Sequence, residues 1–384
     1  MKTVGIICEY NPFHLGHARQ FRLLREQLGQ ETSIVCVMSG NYVQRGLPAM
    51  WDKFTRAEAA LVCGADLVLE LPITGVLQSA EGFARTGVEI LSRMGNVDSI
   101  SFGAECGSVE ALMALAIRLD NPDTQLQLRE GLDRGLPYAA ARQSAAGDED
   151  DLLRSPNNIL GLEYCRAILH FNSRLMPLAI QRNGDYHAGT ADPQEPSATA
   201  VRMLFPNDCW QNYVPAAAIP LFAQAASYKL EHGQRAMLAR LRALSEEEWE
   251  TCAHGSEGLW SKAMKAARSQ PDYEAIIDTV KSKRYPRTRI QRLLLCAYLG
   301  ISGQDLRQTF PYVRILAAGK KGREILQEAK KNGNLNLVNP GEMPPDKAYY
   351  RLECRCSDLY TLFSQPDQPA FCQREQTGRI ILND

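Results

Sequence analysis

Through Phe102 the chain alternates short apolar runs with helical stretches, and this alternation constrains the fold more than any other feature. Thr3–Glu9 is apolar without strict polar alternation, as a strand buried on both faces requires. After a turn at Tyr10-Asn11-Pro12, residues His14 to Leu28 follow helical spacing, with Phe21, Leu24 and Leu28 on one face. Ser33–Met38, Asp66–Leu71 and Asp98–Phe102 read as further strands, the last ending in Gly103, and Thr55–Cys63 and Gln78–Met94 read as helices. Repeated β-α units predict a parallel sheet covered by helices. Such a sheet binds ligands at the carboxyl ends of its strands, near the point where strand order reverses.

The remaining chain is less regular. Residues 121–155 are polar and helical in part, with an acidic run at Asp148-Glu149-Asp150-Asp151 that reads as a solvated loop. Ser155-Pro156 is a helix start, with proline at the first helical position. Pro177–Arg182 is a fifth strand, and Ser197–Leu204 begins another helix with Ser197 as its N-cap. Beyond about Tyr213 helical periodicity dominates to Leu299, with a capping box at Ser245-Glu246-Glu247-Glu248. Val313–Ala317, Gly322–Lys331 and Leu335–Val338 then suggest a small strand-helix-strand element. With 384 residues, two domains are expected, 1–210 and 211–384, the second mainly helical. No cleavable signal and no apolar run of about 18 residues is found, so a cytoplasmic protein without membrane attachment is expected. The odd count of 11 cysteines, several in apolar runs, fits small buried hydrophobes in a reducing compartment. The net charge of −1 means that any nucleic-acid contact must come from a local basic patch. No protein partner is evident.

The strongest chemical signal is Asn11-Pro12-Phe13-His14-Leu15-Gly16-His17, directly after the first strand. Two histidines three apart at a helix start share one side. They stand beside free backbone N–H groups and the positive end of the helix dipole. Gly16 leaves room for a bulky ligand to approach the backbone. Such a site can hold a triphosphate, with imidazole N–H groups stabilising charge on the α- and β-phosphates as pyrophosphate leaves. The alternatives are a metal pair or polar surface. A zinc site needs further ligands, and no Cys-x-x-Cys motif supplies them; Cys354-Arg355-Cys356 has no second pair.

His14-Leu15-Gly16-His17 resembles the H-x-G-H signature of the nucleotidylyltransferase superfamily. More closely, Val4 through His17 resembles the opening of the bacterial tRNA(Met) cytidine acetate ligase family. The resemblance continues at Val37–Gly46, Gly64–Pro72, Ser101–Glu105, Ser155–Gly161 and Arg182-Asn183-Gly184-Asp185-Tyr186-His187, and more diffusely at Arg287–Arg292. It implies an α/β fold, a Rossmann-like parallel sheet with an H-x-G-H nucleotidylyltransferase core, plus a mainly helical tRNA-binding domain. It implies that acetate and ATP give acetyl-adenylate, whose acetyl group passes to N4 of the wobble cytidine of elongator tRNA(Met). Mg2+ would accompany ATP, mainly through phosphates and water.

The family's ATP contacts fall on Ile7, Cys8, Glu9, Tyr10, Asn11, Pro12, Phe13, His14, Leu15, Gly16, His17, Ala18, Arg19 and Gln20, with Gly103, Asn157 or Asn158, and Arg182. His14 and His17 are the expected catalytic pair. Each of the others has a plainer reading: a strand-end turn for Gly103, helix capping for Asn157, a surface ion pair for Arg182. Ser197 to Arg202 resembles the superfamily's second phosphate motif, although Ala198 stands where many relatives carry serine. Asp185 and His187 either assist the site or form a turn. Arg45 is a candidate for phosphate or tRNA, or a solvated loop residue. The basic run Lys281, Lys283, Arg284, Arg287, Arg289 and Arg292, interleaved with Tyr285, is the best RNA-contact candidate, with Lys320, Lys321, Arg323, Lys330 and Lys331 adding to it. The alternative there is a solvated helix face. Rival functions are a nucleotidylyltransferase acting on a small phosphorylated metabolite and a non-catalytic RNA-binding protein.

Overall fold

A computed structural model describes residues 2–147, 151–182, 196–205 and 207–383. Asp185, His187 and most of the acidic run lie outside the described residues. Among the described residues the strands are β1 (Thr3–Cys8), β2 (Ser33–Ser39), β3 (Tyr42–Val43), β4 (Leu47–Pro48), β5 (Leu67–Leu71), β6 (Ser99–Ala104), β7 (Met176–Gln181), β8 (Val313–Ala318), β9 (Leu337–Val338) and β10 (Ile381–Leu382). The main sheet has the order β10-β8-β5-β2-β1-β6-β7, with β9 also paired to β8. From β5 to β7 every pairing is parallel. β1, β2 and β5 are buried along their whole length, which explains their apolar runs.

The chain lays down β1, β2 and β5 in one direction. The helix Ala80–Met94 then carries it back to place β6 on the other side of β1. That reversal opens a crevice at the carboxyl ends of β1 and β6. Two glycines let the crossing helix pack tightly on β1. A Cβ on Gly5 would fall 2.5 Å from Leu91, and one on Gly87 2.4 Å from Ile7.

The expected strand-helix-strand element near the C-terminus exists, as β8, a helix Lys320–Asn332 and β9. It is no separate unit: β8 joins the main sheet antiparallel to β5, and β10 extends it further. The sheet therefore draws strands from both sides of the 210/211 boundary expected from sequence. Residues 109–146 form three helices, Val109–Asp120, Pro122–Asp133 and Tyr138–Ala146. No helix among the described residues is long and apolar enough to cross a membrane.

A buried ionic cluster ties the C-terminal segment to the sheet. Lys53 Nζ lies 2.7 Å from Glu70 and 2.5 Å from Glu375. On β8, Arg314 donates to Glu353 at 2.9 Å and approaches Glu375 at 3.2 Å. Tyr312 also donates to Glu353, and Ser357 donates to Glu375 at 2.7 Å. Three carboxyls thus share two cations. Burial raises the Glu353 carboxyl to about 7, against the pull of Arg314.

Arg56, on the helix Lys53–Val62, is fully buried, and its hydrogen-bond partners are backbone carbonyls. It donates to Glu9 and Gly40, to Ser39 at 3.1 Å and to Trp51 at 2.9 Å. It thereby pins the carboxyl ends of β1 and β2 together.

Two measurements check this account. Arg56→Met leaves buried carbonyls without a donor and should lower unfolding free energy by more than about 3 kcal/mol in a urea titration, at about 1–3 kcal/mol per orphaned group. The folded chain keeps the Glu353 proton up to about pH 7, whereas an unfolded glutamate releases it near 4.5. Between those values the folded state binds more protons, so this group's contribution to stability falls as pH rises. Glu353→Gln should flatten that part of the stability profile.

Candidate functional site

The cavity at the sheet's reversal point has a volume of about 410 Å³. Its walls are the end of β1, the start of the first helix Leu15–Leu28, the ends of β6 and β7, the start of the helix Pro156–His170, the β3–β4 hairpin, and residues 197–202.

His14 and His17 stand at its centre, and both brace the helix they begin. His14 is the N-cap of Leu15–Leu28, with extended backbone at φ −139° and ψ 174°. Its Nδ1 accepts from Gly16 N–H at 3.2 Å, and His17 Nδ1 accepts from His14 N–H at 3.2 Å. The arrangement is a capping box built from two histidines in place of the usual serine and glutamate. Accepting at Nδ1 requires a lone pair there, so each ring carries its proton on Nε2. The rings stack with centroids 3.7 Å apart and planes 22° apart. Burial pushes the His14 pKa down to about 3, aided by Arg182 and Arg202. Burial, His14 and Arg182 push His17 well down as well. At neutral pH the pair is therefore two neutral Nε2–H donors.

The aromatic residues of the motif hold this pair in place. Tyr10 lies 4.7 Å from the His17 ring and Phe13 5.4 Å, and both pack on Phe21. The chain turns sharply before them, with Tyr10 at φ 43° and a cis Asn11–Pro12 bond. Gly16 gives the His14 ring its space, since a Cβ there would stand 3.0 Å from it.

Of the residues expected from sequence, the cavity gathers Ile7, Cys8, Glu9, Tyr10, Asn11, His14, Gly16, His17, Arg19, Gln20, Gly103, Asn157, Arg182, Ser197 and Arg202. Pro12, Phe13, Leu15, Ala18 and Asn158 do not line it. Pro12 and Phe13 are buried beneath it, and Asn158 is buried with its Oδ1 accepting from Cys106 N–H at 3.0 Å. Several lining residues also have structural partners. Gln20 donates to Ser101 at 3.1 Å, Arg202 to Asn11 O at 2.5 Å, and Ser197 Oγ caps its helix by accepting from Ala200 N–H at 3.1 Å. Asn157 is held by Glu105, whose carboxylate also takes the N–H of Asn158 at 2.9 Å. Glu105, at the end of β6, thus caps the helix Pro156–His170, with no cap bond from Ser155. The absent side chain of Gly103 makes room for Arg182, whose Cδ would lie 2.8 Å from a Cβ.

The cavity also takes in residues that the sequence did not single out. Gln44, Leu47 and Pro48 come from a hairpin too short to show a period, and Phe83, Phe102, Leu160 and Tyr164 come from ordinary core positions. Arg45, a phosphate or tRNA candidate by sequence, lines this cavity.

The residues of the basic run differ in burial. Lys281, Lys283 and Arg284 are exposed. Arg287 pairs with Glu274 at 2.6 Å and Arg289 with Glu257 at 2.8 Å, while Arg284 lies 3.7 Å from Glu257. Arg292 is 8% exposed, so the reading of it as a surface contact is corrected. It lies on the inward side of the helix Arg287–Leu299, which is buried from Ile290 on. There the tip of the β3–β4 hairpin packs on it: Gly46, at φ 80°, leaves only 2.6 Å between a would-be Cβ and Arg292 N. Among the described residues no cluster of three histidine, cysteine or acidic side chains could hold a metal ion.

Comparison with known proteins agrees with this geometry. Residues 1–376 match the HIGH Nucleotidyl Transferase family. The tRNA(Met) cytidine acetate ligase of Acetivibrio thermocellus is 34% identical, with both chains covered in full. That of Syntrophotalea carbinolica is 36% identical over 88% of this chain and 84% of its own. Crystal structures of Thermotoga maritima TmcAL, 29% identical, superpose over both whole chains, with TM-scores of 0.91 for the apo form and 0.88 for the form bound to alpha-thio ATP. With the paired histidines at the reversal point of a matching sheet, and relatives of this identity along its whole length, the chain belongs to the tRNA(Met) cytidine acetate ligase family.

Proposed function

We propose that this chain activates acetate with ATP and transfers the acetyl group to N4 of the wobble cytidine of elongator tRNA(Met). The observation that carries the reading is the pair of neutral Nε2–H donors at a helix start within the switch-point cavity.

In the first step a carboxylate oxygen of acetate attacks the α-phosphorus, and the bond to the β-phosphate oxygen breaks. Charge grows on the departing pyrophosphate. Neutral imidazoles held by their Nδ1 atoms meet it with N–H groups already oriented, so little reorganisation is needed. Arg182 and Arg202, close enough to depress the His14 pKa, add positive charge. Gly103 and Asn157 lie where adenosine would rest, and Phe83, Phe102, Leu160 and Ile180 give that end an apolar wall. Excluding water matters, because acetyl-adenylate hydrolyses readily; the β3–β4 hairpin lines one side. Mg2+ would arrive on ATP, held chiefly by phosphate oxygens and water. Lys281, Lys283 and Arg284, with Arg287 and Arg289, would meet tRNA phosphates, and the cytoplasm is where such a substrate is found.

Two experiments test this reading. Exchange of labelled pyrophosphate into ATP, first without tRNA and then with bulk tRNA, should depend on acetate; exchange that instead demands a phosphorylated metabolite would point to nucleotidyl transfer. His14→Asn keeps a good N-cap but removes the Nε2 donor. It should fold with a Tm close to wild type and slow exchange by about 10²–10³-fold.

A further inference from the structure

One of the expected ATP contacts carries a negative charge that neither ATP nor acetate calls for. Glu9 follows β1 directly and lines the same cavity as both histidines. Its Oε1 accepts the N–H of Gln44 from the β3–β4 hairpin at 2.6 Å. Its other carboxyl oxygen makes no hydrogen bond among the described residues. The surrounding walls carry Arg19, Arg45, Arg182 and Arg202, as a polyanion site should. A carboxylate among them repels phosphate and acetate alike and weakens the binding of both. What it favours is an N–H donor, or a nitrogen gaining positive charge.

The acyl acceptor in the proposed reaction is such a nitrogen. We infer that Glu9 accepts the proton from the cytosine N4 amine during acetyl transfer, an inference that rests on the proposed function. The N4 lone pair forms a bond to the acetyl carbonyl carbon. The bond from that carbon to the AMP phosphate oxygen breaks, and AMP leaves with the electron pair. The N4 proton passes to the Glu9 carboxylate and from there to solvent. An exocyclic cytosine amine is a weak nucleophile, because its lone pair is delocalised into the ring, so a placed base has much to contribute. Burial also raises the proton affinity of this carboxyl, opposed by the Gln44 N–H, Arg202, Arg45 and Arg56. Tyr164, buried and with no hydroxyl partner among the described residues, lines the same cavity from the helix Pro156–His170.

Glu9→Gln preserves size and can keep the Gln44 contact while removing the base. Two reactions are read on the full chain: acetate-dependent pyrophosphate exchange, and single-turnover transfer of labelled acetate to unmodified elongator tRNA(Met). Transfer should fall by about 10²-fold or more, at least about 10-fold beyond any loss of exchange, and the exchange that persists shows that the variant is folded. The acid limb of the transfer pH profile should disappear with it. Glu9→Asp, which retains a carboxylate one methylene further back, should lose less transfer than Glu9→Gln. Equal loss of both reactions would overturn the inference and place Glu9 in nucleotide binding; unchanged transfer would overturn it outright. A wild-type chain that shows no acetate-dependent exchange, with or without tRNA, would instead remove the acetate-ligase reading itself.

Discussion

A guanidinium whose hydrogen bonds go to backbone carbonyls organises the cavity end of the sheet. Arg56 points into the sheet and gives its hydrogen bonds to the carbonyls of Glu9, Ser39, Gly40 and Trp51. Strand ends carry carbonyls that no neighbouring strand can satisfy, and burial makes each of them costly. One planar cation with several donors answers that need for β1 and β2 together. The consequence is a fixed exit direction for the chain after β1, and every residue of the His14 motif inherits its position from that exit.

The histidines extend the same logic from fold to chemistry. A serine and a glutamate would cap the first helix equally well, but would leave no donor facing the cavity. Imidazole has two nitrogens, so one can accept from the backbone while the other keeps its proton. Capping thereby selects the tautomer, and burial beside Arg182 and Arg202 keeps both rings neutral. The contacts that hold the helix start in place are the contacts that fix both rings as neutral Nε2–H donors.

The C-terminal half bears on the site through contacts that include an ionic cluster and a glycine. The Lys53–Glu70–Arg314–Glu353–Glu375 cluster locks β8 and the C-terminal helices onto the edge of the sheet. The helix Arg287–Leu299 supports the β3–β4 hairpin through the backbone contact at Gly46, and that hairpin supplies Gln44 and Arg45 to the cavity. A helical region of this chain thus touches the nucleotide pocket through a glycine.

The parallel strands, the first helix and the paired histidines were all legible from residues close in sequence. Burial on both faces leaves an apolar run, and helix caps depend on neighbours within a single turn. The sequence alone therefore determined that a helix start bearing two histidines follows a buried strand. It determined neither the placement of β8 beside β5 nor the burial of Arg292, because antiparallel closure and helix-face burial depend on partners hundreds of residues away. Nor did it show that Glu105 caps a helix 51 residues on, that Arg45 lines the cavity rather than an open loop surface, or that Gln44 of the hairpin takes one oxygen of Glu9. Those outcomes were decided by tertiary structure, since a charged side chain takes its role from the field it is folded into, and that field is assembled only when the sheet closes.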